Sequence, residues 1–140
     1  MKPQPLSGGF VAGLKAGFAY NTFPLMDGHW IPEAMFLMSP VWRNFFENIA
    51  TVQFDHRLLA TLVFVAGVSF WLAARRYTLP VSARIGVHAL LAAVVLQVTL
   101  GISTLLLHVP KPLASTHQAG ALLLLTVVLF VNHRLIYART

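Results

Sequence analysis

The chain contains six histidines, His29, His56, His88, His108, His117 and His133, and no cysteine. Lack of cysteine excludes a disulfide framework, a thiolate zinc or iron–sulfur site, a thiol nucleophile and covalent c-type haem attachment. Any metal chemistry therefore falls to imidazole. Depth along the chain separates the histidines. Three runs carry no formal charge, Leu58 to Ala74, Ile85 to Pro110 and Pro112 to His133, and each ends near arginine. With those arginines as a baseline and a rise of about 1.5 Å per residue, His56 lies about 28 Å from Arg75 and His117 about 26 Å from Arg134. The two are at matching heights on helices that run in the same direction. In a four-helix bundle such helices can stand diagonally with a cofactor between them, and two imidazoles at one height suit the two axial positions of a haem iron.

The flanks of the pair fit a flat apolar ligand. One face of the second span reads His56, Ala60, Val63, Gly67, and one face of the fourth reads His117, Gly120, Ala121, Leu124. Small residues are equally the ordinary material of membrane helix contacts, so they have two readings. Arg57, directly after His56, is a candidate partner for a haem propionate, or it snorkels to headgroups. His88 and His133 both fall within about a turn of the arginines and form a possible second pair, although imidazole at an interface also reaches water readily. On the third span Gln97, Gly101, Thr104 and His108 form a small, polar stripe expected to face the bundle interior and to supply an interhelical hydrogen bond. No His-Glu-x-x-His, Gly-x-Ser-x-Gly or phosphate-cradling glycine loop is present.

The elements that must hold these residues follow from composition. Of 140 residues, 57% are hydrophobic and 10% charged, far below the roughly one-quarter charged content of soluble domains. At about 20 apolar residues per span, the length allows four spans and little else. The expected fold is an all-α integral membrane protein, a single four-helix transmembrane bundle with up-down-up-down topology. Its spans are placed at about residues 6–23, 51–74, 85–108 and 113–134, with an outer loop at 24–50. Lys15 and the early prolines Pro3 and Pro5 argue against a cleaved signal peptide at the first span. Arg75, Arg76, Arg84, Arg134 and Arg139 cluster at one end, which the positive-inside rule assigns to the cytoplasm. The four acids, Asp27, Glu33, Glu47 and Asp55, lie in the segment leading from the first span into the second. The net charge of +6 is juxtamembrane, which fits orientation and anionic lipid and not nucleic acid. Trp42 to Phe54 places its aromatics on one helical face, as an interfacial helix or an aromatic belt would.

Three stretches, AGLKAGFAYNTFPLMDG (12–28), NFFENIATVQFDHRLLA (44–60) and LGISTLLLHVPKPLASTHQAGALLLL (100–125), closely resemble the C-terminal half of haem A synthase in its alphaproteobacterial and mitochondrial form. The likeness covers nearly the whole chain from Gly8 onward. It implies an eight-span protein built of two similar halves that oxidises the C8 methyl of haem O to the formyl group of haem A, for cytochrome oxidase assembly. It further implies that the C-terminal half holds haem b through axial histidines at the positions of His56 and His117. The family's substrate half carries a glutamate three residues before its first histidine; here that position is Gln53, which cannot exchange a proton as a carboxylate does. The resemblance lacks the first four spans, so the chain reads as a fragment, a misplaced start or one part of a split pair.

The resulting expectation is a haem b-binding, electron-transferring half of a haem A synthase in a bacterial inner membrane, with the haem near the outer face. Its site residues are His56 and His117 as axial ligands and Arg57 as a further cofactor contact. Its partners are haem, membrane lipid and an N-terminal half or split partner, and the isolated half is expected to be inactive. The alternatives are a cytochrome b561-like carrier with two haems, using His88 and His133 as well, and a truncated haem-free membrane module.

Overall fold

The computed structural model describes residues 11–137. Among them the architecture is all-helical, with no strand beyond an isolated bridge between Met26 and His29. A short helix α1 (Asn44–Glu47) is followed by three long ones: α2 (Ile49–Ala74), α3 (Val81–Leu106) and α4 (Lys111–Tyr137). All three long helices have the length and hydropathy to cross a membrane. In lipid an apolar run has no water for its backbone to bond to, so each must satisfy its hydrogen bonds as helix.

Residues 6–10 of the first expected span lie outside the described residues. From Val11 on the chain departs from a span reaching Phe23. It is helical only through Gly13, Lys15 adopts a left-handed φ of 53°, and a 3-10 turn occupies Ala16–Phe18. Side-chain bonds to distant helices hold this shape. The Asn21 amide donates to the carbonyls of Gly17 and of Leu105 at the far end of α3. Gly17 lies so close to Val109 that a β-carbon there would be 2.9 Å from a Val109 methyl.

The segment between this turn and α2 is bound together by polar groups. Asp27 (φ 52°) and Gly28 (φ 85°) form the two central positions of a tight turn closed by paired backbone bonds between Met26 and His29, the Asp-Gly signature of a type I′ turn. Asn44 is fully buried and donates to the carbonyls of Met38 and Val41. The expected continuous helix from Trp42 to Phe54 is broken at Asn48, whose extended ψ of 117° ends α1 and whose side chain caps α2 by accepting from the N–H groups of Ala50 and Thr51. At the exposed end of α1, Glu47 pairs with Arg43 just before the helix, which lowers the Glu47 carboxyl from its ordinary value.

Packing contacts set the directions of the long helices. Gly86 of α3 lies against Val131 and Phe130 of α4, whereas Gly101 lies against His117. As α3 ascends in number its neighbours on α4 descend, so the two are antiparallel. Gly67 meets Val94 and Trp71 meets His88, which makes α2 antiparallel to α3 and parallel to α4. The core is centred on α3: Val87, Leu90 and Val94 with Val131, packed against Phe64 and Trp71 of α2 and Leu124 and Val127 of α4. Leu58, Leu59 and Leu62 on α2 and Leu122, Leu123 and Leu125 on α4 are exposed, as lipid-facing positions are in a membrane helix.

The end of α3 explains the position of His108. Its N–H donates to the Leu105 carbonyl and that of Val109 to the Thr104 carbonyl, the paired bonds of a Schellman cap. His108 (φ 60°) takes the left-handed position usually given to glycine. It lies past the helix and is exposed, not part of an inward-facing stripe.

Candidate functional site

His56, two turns into α2, and His117, nearly two turns into α4, face each other with ring centroids 6.4 Å apart and planes at 88°. Both are partly buried. The separation is informative. Imidazole nitrogens bind a metal at about 2.0–2.1 Å, and with about 1.2 Å more to each ring centre, two imidazoles sharing one ion have centroids about 6.4 Å apart. Coordination leaves each ring free to rotate about the metal–nitrogen axis, so perpendicular planes are compatible with it.

The third helix shapes His117. A β-carbon on Gly101 would lie 2.9 Å from the ring carbon Cε1 of His117, so only glycine leaves that much room beside the imidazole. Gln97 donates its amide to the His117 backbone carbonyl at 3.0 Å, the interhelical bond expected of that stripe. Nδ1 of His117 is buried without a hydrogen-bond partner. An unsatisfied buried nitrogen costs about 1–3 kcal/mol, and such groups recur where a ligand supplies the missing interaction. Two facing imidazoles, one of them with an unsatisfied ring nitrogen, make a two-histidine donor set. Among the described residues no group of three or more histidine, cysteine, aspartate or glutamate side chains converges.

Two of the small residues read as room for a macrocycle have another role. Gly67 packs against Val94, and a methyl on Gly120 would overlap the side-chain oxygen of Gln97. Both let α3 approach closely, as small residues do between membrane helices.

Arg57 is bonded to the outer segment. It is half-buried and donates to the carbonyls of Tyr20 at 2.8 Å and Leu25 at 3.3 Å, while its Nε is buried without a partner. Gln53, one turn earlier, donates to the same Tyr20 carbonyl at 2.9 Å. Together they clamp the 20–25 segment across the end of α2 that carries His56. Sequence reasoning missed this clamp; its signal was a pair of polar side chains, Gln53 and Arg57, at helical spacing where an apolar span begins.

His88 and His133 have separate neighbours. The Trp71 indole donates to Nδ1 of His88 at 3.1 Å, which in the neutral ring puts the proton on Nε2 and leaves no lone pair for a metal. His133 stacks on Tyr137 at 4.5 Å, one turn further along α4. His29 is exposed in the turn closed by Met26.

Comparison with known proteins places the chain in a family. The chain is 59% identical over 130 residues to "Heme A synthase" of Nitrosospira multiformis and 55% identical to that of Nitrosomonas eutropha, in each case over 93% of this chain and 36% of the relative. It is 51% identical to "Heme A synthase COX15" of Homo sapiens, over 93% of this chain and 32% of that protein. The chain thus spans about a third of the length of the curated relatives it matches. No solved structure matches. Residues 3–129 match the family described as cytochrome oxidase assembly protein, COX15-CtaA, and the chain belongs to that family.

Proposed function

We propose that this chain is the haem b-binding, electron-transferring portion of a haem A synthase, with His56 and His117 as the axial ligands of one haem. The carrying observation is the 6.4 Å separation of the two imidazoles across α2 and α4. The haem supplies one-electron transfer at a potential set by its axial ligands and the polarity around them. The chain's own residues bind and orient it. Gln97 and Gly101 hold the His117 ring in place, and the exposed leucines of α2 and α4 meet lipid or further helices of a complete synthase. Arg57 keeps the outer segment over the site through its terminal nitrogens, and its unpartnered Nε–H is the donor left for a propionate.

In the complete synthase the reaction is oxidation of the haem O C8 methyl to the formyl of haem A. This portion contributes electron transfer and not the substrate chemistry, in keeping with Gln53 in place of a carboxylate. With the arginine-rich end on the cytoplasmic side of a bacterial inner membrane, the haem lies near the outer face.

Reconstitution of the purified chain with haem b tests the reading. One haem per chain by pyridine haemochrome, with the spectrum of a six-coordinate low-spin iron, is expected. No Soret band, or a spectrum unchanged in both His56→Ala and His117→Ala, overturns the ligand assignment; two haems per chain would favour the two-haem carrier instead.

A further inference from the structure

At the arginine-rich end, opposite His56 and His117, the connection between α2 and α3 borders an open cavity of about 470 Å³. Its walls are of two kinds. Arg75, Arg84 and His88 supply polar groups, and Leu79 and Val87 form an apolar floor. The two are held in register by Trp71. Its ring carries the Arg75 guanidinium at 4.7 Å and its indole N–H donates to Nδ1 of His88. Because Nδ1 accepts, the neutral imidazole carries its proton on Nε2 and can donate only from there. The cavity is lined by two arginines and a histidine, with no carboxylate among its lining residues.

We propose that this cavity is a binding site for the phosphate of an anionic phospholipid. Guanidinium groups recognise phosphate through paired, charge-assisted hydrogen bonds, and basic pockets between membrane helices suit acidic headgroups. The apolar floor and the position at the ends of two membrane-length helices favour a lipid over a free anion, since the glycerol and first acyl carbons then have a surface to cover. The site is independent of the histidine pair and does not rest on haem binding.

Native mass spectrometry of the full chain in detergent, titrated with phosphatidylglycerol or with phosphatidylcholine of the same acyl chains, tests this. One phosphatidylglycerol per chain is expected, with at least about tenfold preference over phosphatidylcholine. The double variant Arg75→Gln/Arg84→Gln should bind it about 30-fold more weakly, which is about 2 kcal/mol at about 1.4 kcal/mol per tenfold. Arg134→Gln, whose guanidinium sits over Phe130 instead, should bind as the wild type does. Equal binding of the two lipids by the wild type overturns the proposal, as does full retention in the double variant. Displacement of the lipid by millimolar inorganic phosphate overturns the lipid assignment in favour of a free-anion site. The comparison of lipids uses the wild-type chain, so it decides the matter even if a variant fails to fold.

Discussion

The side-chain amide of Gln97 on α3 donates to the backbone carbonyl of His117 on α4 at 3.0 Å. That bond ties α3 to the turn of α4 that presents the imidazole. Interhelical hydrogen bonds in membrane proteins contribute about 0.6 kcal/mol on average and up to about 1.7. Gln97→Leu should therefore lower the thermal midpoint of the chain in detergent modestly. It should also weaken haem binding about fivefold, equivalent to about 1 kcal/mol, with the low-spin spectrum retained. Haem titration followed at the Soret band measures both affinity and spin state.

Removing either imidazole should have a different signature. His56→Ala and His117→Ala each leave one axial ligand, so the iron should become five-coordinate and high-spin, and added imidazole should restore the low-spin spectrum. The double variant should lose stoichiometric binding. Absorption spectra of ferric and ferrous samples with and without imidazole distinguish these states.

Two glycines on facing helices make a matched control. Gly101→Ala would place its β-carbon 2.9 Å from the His117 ring, whereas Gly67→Ala would place one 3.1 Å from a Val94 methyl. Overpacking of this kind costs about 1–3 kcal/mol. Both variants should be destabilised, but only Gly101→Ala should also change the haem spectrum or affinity. Paired thermal and haem titrations read the split.

At the end of α3, His108 occupies a left-handed position at φ 60°. A non-glycine residue there costs roughly 1 kcal/mol relative to glycine. His108→Gly should raise the thermal midpoint without altering haem binding, since the ring is exposed and outside the histidine pair.

Asn48 caps α2 with its oxygen and donates its amide to Ala34 and to the buried Asn44. Loss of a cap alone costs about 1 kcal/mol and up to about 2, and Asn48→Ala also releases the outer segment. Limited proteolysis should cut faster between residues 34 and 44 in this variant, and the thermal midpoint should fall.

Much of the scaffold is legible in the sequence alone. Long uncharged apolar runs have one stable form in lipid, so α2, α3 and α4 follow from Leu58 to Ala74, Ile85 to Pro110 and Pro112 to His133. Local breaks were less legible because they depend on partners far along the chain. The helix expected through Phe23 stops near Gly13 in a region where Asn21 and Gly17 contact Leu105 and Val109. The helix expected across Trp42 to Phe54 stops at Asn48, where capping α2 and bonding Asn44 outweigh continuation.

Depth was within reach of the sequence because a helix advances by a fixed rise per residue, so counting from Arg75 and Arg134 placed His56 and His117 at one level. Azimuth was legible only in part. The polar stripe of Gln97, Gly101 and Thr104 marked the inner face of α3, but most of each span is apolar on every side, and there the face is decided by close packing. Gly67 against Val94, Gly120 against Gln97 and Gly101 against the His117 ring set the rotations of α2 and α4 about α3. Those rotations turn two histidines at the same height into a pair 6.4 Å apart.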